Sequence, residues 1–363
     1  MKTGIITFHK SNNYGAVLQA YALQYIINQY SECEIIDYRS DAISGEKKLS
    51  DLKRARNFKG FLKRIASESY YENKNRNFNK FLGNCRLSKK TYTMKNISEA
   101  NLEYDMFITG SDQVFNLSMT HGDRTYYLDF VSAEKKKIAY AASLGSYSFE
   151  SDDMFTRKQI ISMDYISCRE PEAARAVKQF TGREADVVLD PVLLLDEKEW
   201  KRIEEPYDKI PSEYILLYLI SPEAGYFKLA YEMAMSLKLP LYYINYSPRR
   251  PLNPKIKNMR NISPGQFLYL LHHAAYVITN SFHGTAFSIL YRKKFFTLKD
   301  ERKSKSNQRT ERILNLFSLQ KQFVTETSQS LSREPDYSQT ACRLEEERKK
   351  SITFLENAGV FKP

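Results

Sequence analysis

An α/β protein built from two successive sets of parallel βα units is predicted by three features of the sequence. Short runs rich in Val, Ile, Tyr and Phe alternate with longer segments of helical periodicity. The chain has 363 residues, more than one hydrophobic core usually supports at about 150 residues per domain. Hydrophobic residues make up 42% and charged residues 27%, and no long stretch lacks apolar side chains, which excludes disorder, collagen and coiled coil.

The elements follow in order. Strands are expected at residues 4–8, 34–38, 104–109, 137–142 and 165–168, with helices filling most of the gaps. The clearest helix is 16–30, where Leu18, Ala22, Tyr25 and Ile26 recur at helical spacing directly after Asn12-Asn13-Tyr14-Gly15. The pattern repeats with strands at 185–189, 214–220, 241–245 and 275–279, and helices at 225–237, 264–272 and 284–292. Between the sets, Pro191 disfavours helix at Asp190 and marks a crossing between domains. The expected division is therefore 1–190 and 191–335, with a C-terminal helix in 336–363 that packs back on the domains.

Net charge is +12, which calls for an anionic partner. The excess is local: residues 46–80 carry net +7 and residues 292–309 carry net +6, so the rest of the chain is near neutral and a general nucleic-acid coat is not expected. Residues 46–80 read as a basic amphipathic helix, with Leu52, Phe58, Phe61, Leu62 and Ile65 on one face and Lys53, Arg54, Lys59, Lys63 and Arg64 crowding the others. Such a helix suits an anionic membrane surface, or equally a domain face. The four cysteines lie far apart without C-x-x-C spacing and read as reduced thiols. No apolar run approaches the roughly 20 residues of a membrane span, so a cytoplasmic protein, peripheral on the membrane at most, is expected.

Four strand-end turns carry the candidate chemistry, since ligands of parallel α/β sheets bind at the carboxyl ends of strands. His9-Lys-Ser-Asn-Asn-Tyr-Gly15 offers His9, Asn13 and Gly15 at a helix N-terminus, although Asn13 as a cap explains the same residues. Gly110-Ser-Asp-Gln-Val-Phe-Asn116 places Asp112, Gln113 and Asn116 where a general base or sugar hydroxyls belong, or where an Asx-turn does. In Ser167-Cys-Arg-Glu-Pro171 the Arg169 guanidinium suits phosphate or carboxylate, or an ion pair with Glu170 or Glu172. Ile278-Thr-Asn-Ser-Phe-His-Gly-Thr-Ala-Phe287 sets His283 among Ser281, Gly284 and Thr285, as an acid, base or phosphate ligand or as a structural histidine. The five histidines show no H-x-x-x-H spacing and there is no D-x-D, G-x-G-x-x-G, Walker or G-x-S-x-G pattern, so a metal held by a local motif is unsupported and no bound cofactor is expected, the metal requirement staying open.

Taken together, I-I-T-F-H-x-x-x-N-Y-G-A, G-S-D-Q-V-F-N, C-R-E, L-D-P-V and S-F-H-G-T, spread over residues 4 to about 315, resemble the polysaccharide pyruvyl transferase family. The resemblance implies a GT-B-like fold of two Rossmann-like domains facing a central cleft. It implies phosphoenolpyruvate as donor and a sugar hydroxyl pair as acceptor, joined as a cyclic pyruvate ketal. By the same resemblance Arg169 matches a phosphoenolpyruvate ligand and His283 the histidine of an R-L-H-G motif, whose arginine is Ser281 here. Lys305, Arg309 or Arg312 are the expected replacements by position and charge. Asp112 is expected to deprotonate the acceptor, with His9, Asn13, Gly15, Gln113 and Asn116 on the acceptor side and Ser281, Gly284 and Thr285 beside the donor. The acceptor is expected to be a lipid-linked precursor of a capsule or exopolysaccharide. A GT-B glycosyltransferase using a nucleotide sugar is the nearest rival; a non-catalytic glycan or nucleic-acid binding module is a second.

Overall fold

A computed structural model describes residues 1–43, 58–245, 251, 253–299, 304–325 and 333–361, with the side chains of 58–68 and 304–306 excepted. Among the described residues the strands form two sheets. The first contains β1 (Lys2–Ile6), β2 (Glu32–Tyr38), β3 (Leu87–Tyr92), β4 (Met106–Asp112), β5 (Lys136–Ala142), β6 (Tyr165–Cys168) and β7 (Asp186–Val187), in the order β3-β2-β1-β4-β5-β6-β7. The second contains β8 (Ile215–Tyr218), β9 (Leu241–Ile244), β10 (Lys257–Met259), β11 (Tyr276–Thr279), β12 (Lys294–Leu298) and β13 (Phe323–Val324), in the order β10-β9-β8-β11-β12-β13. Every pairing is parallel. Both orders reverse direction beside the first strand, which makes each sheet Rossmann-like and gives each a switch point, between β1 and β4 and between β8 and β11.

The central strands are buried on both faces, as parallel sheets covered by helices require. Every residue of β4 and of β8 is buried. The first core gathers Ile6, Ile36, Phe107, Phe115 and Tyr127, and the second Ile215, Leu217, Tyr243, Ile278 and Phe296. Helix ends follow local chemistry. Asn13 Oδ1 accepts from the Gly15 and Ala16 amides at the start of helix Tyr14–Ile27, and Ser263 and Gln266 form a capping box ahead of Pro264 in helix Pro264–His273. Gly182 ends helix Pro171–Thr181 at φ 78, a left-handed position that glycine occupies without strain.

The chain divides into two compact units, each holding one sheet: residues 1–45, 82–195 and 342–363 form the first, and residues 46–81 and 196–341 the second. This differs from a continuous first domain over 1–190. Helix Phe58–Phe81 belongs to the second unit, because the Tyr70 hydroxyl donates to Asn245 O at 2.8 Å, Asn77 Nδ2 donates to Asn261 O and Arg260 lies over the Tyr70 ring. Its residues Tyr70, Lys74, Phe78 and Phe81 are buried, so this half of the basic helix packs on a domain face. Leu52, Lys53 and Arg54 lie outside the described residues. Helix Thr340–Asn357 joins the first unit, where Arg348 donates to Leu193 O and Leu195 O at 2.7 and 2.6 Å.

Other expectations change in detail. Residues 186–187, grouped by the sequence with the later strands, form the edge of the first sheet by pairing with Ser167 and Cys168. The segment 292–309 is described only in part. It contains β12, whose Phe295, Phe296, Thr297 and Leu298 are buried, and Lys293 donates to His272 O at 2.7 Å. All four cysteines are free thiols. Among the described residues no helix is long and apolar enough to cross a membrane.

Candidate functional site

Each switch point carries sequence-predicted site residues. In the first unit the turn after β1 brings His9 and Asn13, and the end of β4 brings Asp112, Gln113 and Asn116. Two strands further along the sheet, the end of β6 delivers Arg169. Strand ends aim these groups at one rim because parallel strands all finish on the same side.

Around Arg169 the structure builds a buried charge cluster. The side chain is 2% exposed; Nε donates to Glu170 Oε1 at 2.8 Å, NH1 donates to Asp190 Oδ2 at 2.7 Å, and NH1 stands 3.8 Å from Asp112 Oδ1. Burial opposes the guanidinium charge, but Glu170, Asp190 and Asp112 outweigh it and push the pKa above the ordinary arginine value. Arg169 thereby ties Asp190 and Asp112 to the end of β6.

Asp112 is 7% exposed and takes φ 66, a left-handed conformation uncommon outside glycine and concentrated where side chains are aimed for a purpose. Its carbonyl accepts from the Ser143 and Val114 amides at 2.9 and 2.8 Å, so the strained turn is tied to the end of β5. Gly110 precedes it at φ 132, where a Cβ would stand 1.9 Å from Tyr140 O. Asn116 Nδ2 donates to Gln113 Oε1 at 3.0 Å while Asn116 Oδ1 caps Met119 N. Gly145 leaves room for that glutamine, since a Cβ there would meet Gln113 Oε1 at 1.9 Å. Gln113 stays partly exposed, as does Asn13, whose carboxamide oxygen serves as the helix cap; Gly15 is buried in the first turn.

His9 does not reach the rim. It is 1% exposed, with Nδ1 3.2 Å from Thr7 O and Nε2 3.1 Å from Asp37 Oδ1. Burial alone would raise the Asp37 carboxyl, but hydrogen bonds from His9 and from Arg39 overrule it and hold it well below the usual carboxylate range. His9 thus supports the turn from beneath through its hydrogen bond with Asp37.

Asp190, Ser111 and Gln19 were not singled out by sequence reasoning. Asp190 is fully buried, accepts from Arg169 and from Ser111 Oγ (3.2 Å), and caps the turn at Val192 N (3.1 Å). The signal for it is the Asp-Pro pair, a helix-start pattern. Gln19 links the strand ends: Nε2 donates to Thr7 Oγ1 at 2.8 Å and Oε1 accepts from Ser111 N at 3.0 Å.

In the second unit, Ser281 caps helix Phe282–Leu290 through Gly284 N at 3.3 Å, and His283 sits in the first turn, 7% exposed. The helix thus opens two residues before Gly284. Gly284 is required by close approach: a Cβ would stand 2.4 Å from Thr279 Oγ1 and 2.9 Å from Tyr218 Cδ1. Thr285 is fully buried, donating to Ser281 O at 3.0 Å, so it stiffens the turn and presents no hydroxyl to a ligand. Asn280 spans the switch point by accepting from Ile220 N at 2.9 Å and donating to Ser221 O at 2.8 Å. Arg309 lies partly buried on helix Ser304–Leu316, which packs against helix Phe282–Leu290, while Arg312 faces solvent. Lys305 falls in the same helix, its side chain outside the described residues.

A family model described as "Polysaccharide pyruvyl transferase" matches residues 13–300. No curated protein matches the chain. Among solved structures, a UDP-GlcNAc 2-epimerase from Methanocaldococcus jannaschii superposes with TM-score 0.52 at 13% identity, covering 97% of this chain and 92% of its own. The Neisseria meningitidis UDP-GlcNAc 2-epimerase bound to UDP-GlcNAc gives TM-score 0.50 at 11% identity, covering 98% and 100%. At these identities the likeness shows a shared GT-B-like fold.

Proposed function

The chain belongs to the polysaccharide pyruvyl transferase family, and from that premise we propose that it moves pyruvate from phosphoenolpyruvate to two hydroxyls of a glycan as a cyclic ketal. The observation that carries this reading is the carboxyl-end turn of the second sheet, where a helix opens on a first turn that bears a histidine. A helix N-terminus of nine residues offers a positive dipole end to a phosphate, and His283 stands in its first turn. Asp112, positioned by Arg169 and by the β5 tether, supplies an anionic acceptor for a hydroxyl proton.

In this reading the methylene carbon of phosphoenolpyruvate takes a proton from a general acid, and the first acceptor hydroxyl returns one as it adds to the neighbouring carbon. The second hydroxyl then displaces inorganic phosphate, which leaves with that hydroxyl's proton, and closes the ketal. Gln113 and Asn13, both partly exposed on the first rim, orient the sugar. Arg309 supplies the cation missing at Ser281. The acceptor in this proposal is a lipid-linked precursor of a capsule or exopolysaccharide.

A nucleotide-sugar transferase is the second reading, favoured by the fold shared with enzymes of UDP-GlcNAc. One experiment separates the two: candidate glycans are incubated with phosphoenolpyruvate or with nucleotide sugars, and products are read by mass spectrometry. The pyruvyl increment with equimolar phosphate release supports the proposal; a hexose increment refutes it. Asp112→Asn is expected to lower turnover about 100-fold or more, and His283→Gln to raise the KM for phosphoenolpyruvate.

A further inference from the structure

Outside the switch points, the described residues hold one cluster that the proposed reaction does not use. Glu204, His272 and His273 each place a ligand atom within 4.8 Å of the other two. We propose that these three residues form a binding site for a divalent transition-metal ion of the zinc class. The site would clamp the segment around Glu204 to the carboxyl end of helix Pro264–His273. It is independent of the pyruvyl-transfer reading.

The donor set and its preparation argue for this. Tetrahedral zinc with metal–nitrogen distances of about 2.0–2.1 Å sets its ligands roughly 3.3 Å apart, so the cluster closes on an ion by side-chain adjustment alone. His273 Nδ1 lies 2.9 Å from Tyr269 O, an acceptor, so Nδ1 donates there and Nε2 is the nitrogen turned toward an ion. A backbone carbonyl holding one ring nitrogen is the usual outer support of a ligating histidine. His272 stacks on Tyr291 at 4.4 Å with a 19° tilt, which fixes its ring, and its Nδ1 is 2.8 Å from Glu204 Oε1. The Glu204 side chain is only 6% exposed, so its carboxylate is already largely removed from water. Glu197 Oε1 lies 3.2 Å from His272 Nε2, where a carboxylate orients the ring from the side away from Glu204. Lys293 binds the main-chain carbonyl of His272 and leaves the imidazole free of that cation. Two imidazoles with carboxylate select zinc, nickel or copper over magnesium and calcium. The cluster escaped the search for histidine spacing because its third ligand comes from 68 residues earlier in the chain.

The test uses the full chain without a polyhistidine tag, titrated with cobalt(II) and zinc(II) after chelator treatment. Wild type is expected to bind one ion per chain, with visible cobalt absorption that zinc displaces, and to melt at a higher temperature with zinc. His273 is exposed, so His273→Ala should keep the wild-type melting temperature in chelator while binding cobalt about 100-fold more weakly. Glu204→Gln should weaken binding as well. Absence of stoichiometric cobalt binding by wild type, or undiminished binding by His273→Ala, would overturn the proposal and leave an ion-pair cluster of His272 with its two glutamates.

Discussion

Arg169 NH1 donates to Asp190 Oδ2 across 2.7 Å, joining the end of β6 to a carboxylate 21 residues further along the chain. With Glu170 and Asp112 beside it, the guanidinium is the shared counter-ion of three acids. Removing one partner of a buried ion pair strands the others and costs about 3–5 kcal/mol. Arg169→Ala is therefore expected to destabilise the protein by that amount in urea unfolding. Arg169→Met with Asp190→Leu should recover part of the loss, since it deletes charge on both sides. A wild-type unfolding curve for Arg169→Ala would contradict the cluster.

Gly284→Ala should cost roughly 1–3 kcal/mol through overpacking. The added Cβ meets Thr279 Oγ1, which cannot swing aside: it donates to Tyr218 O at 2.7 Å and accepts from Ser281 N at 3.0 Å. Because His283 rides on the same helical turn, the displacement should also raise the KM for phosphoenolpyruvate. Thermal unfolding and steady-state kinetics on one preparation read both effects.

Asp37 governs part of the acid limb of stability. Its folded-state pKa is depressed by His9 and Arg39 against the opposing effect of burial. The unfolded chain therefore binds the proton first as pH falls, so this contribution is complete above about pH 4 and is lost progressively below it. Asp37→Asn should flatten the loss of stability below that point, measured by unfolding at a series of acidic pH values.

Lys74 gives the opposite limb. Burial pulls its ammonium down to about 7, while the unfolded side chain titrates near the ordinary value of about 10.4. Between these values the unfolded state holds the proton and the native state does not, so stability rises with pH from about 7 to about 10. Lys74→Met should stabilise the protein at pH 7 by roughly 1–3 kcal/mol and remove that rise. Unchanged slopes would refute it.

Much of the fold was legible because local chemistry marked it. The Ser263-Pro264 start, the Asn13 cap and the apolar runs of β4, β5, β8 and β11 needed no tertiary information. The strands missed were those whose own residues disguise them. β3 reads Leu-Ser-Lys-Lys-Thr-Tyr, with three consecutive exposed side chains, and β12 is embedded in a basic run. The site divided in the same way. Strand-end turns mark Asp112 and His283, but the pairing of Arg169 with Asp112 and Asp190, 57 and 21 residues away, depends on sheet order. Likewise, the home of helix Phe58–Phe81 is decided by Asn245 and Asn261, more than 170 residues distant.

The discontinuous first unit has a consequence for biosynthesis. Its sheet begins at Lys2, yet the Leu189 amide on its far side donates to Ser351 Oγ at 2.9 Å, and Ser31 Oγ donates to Val360 O at 2.9 Å. These contacts exist only after the whole second sheet has been translated. The unit begun first is thus closed after the one begun later, and on the ribosome it must wait, open along that flank, while its neighbour assembles.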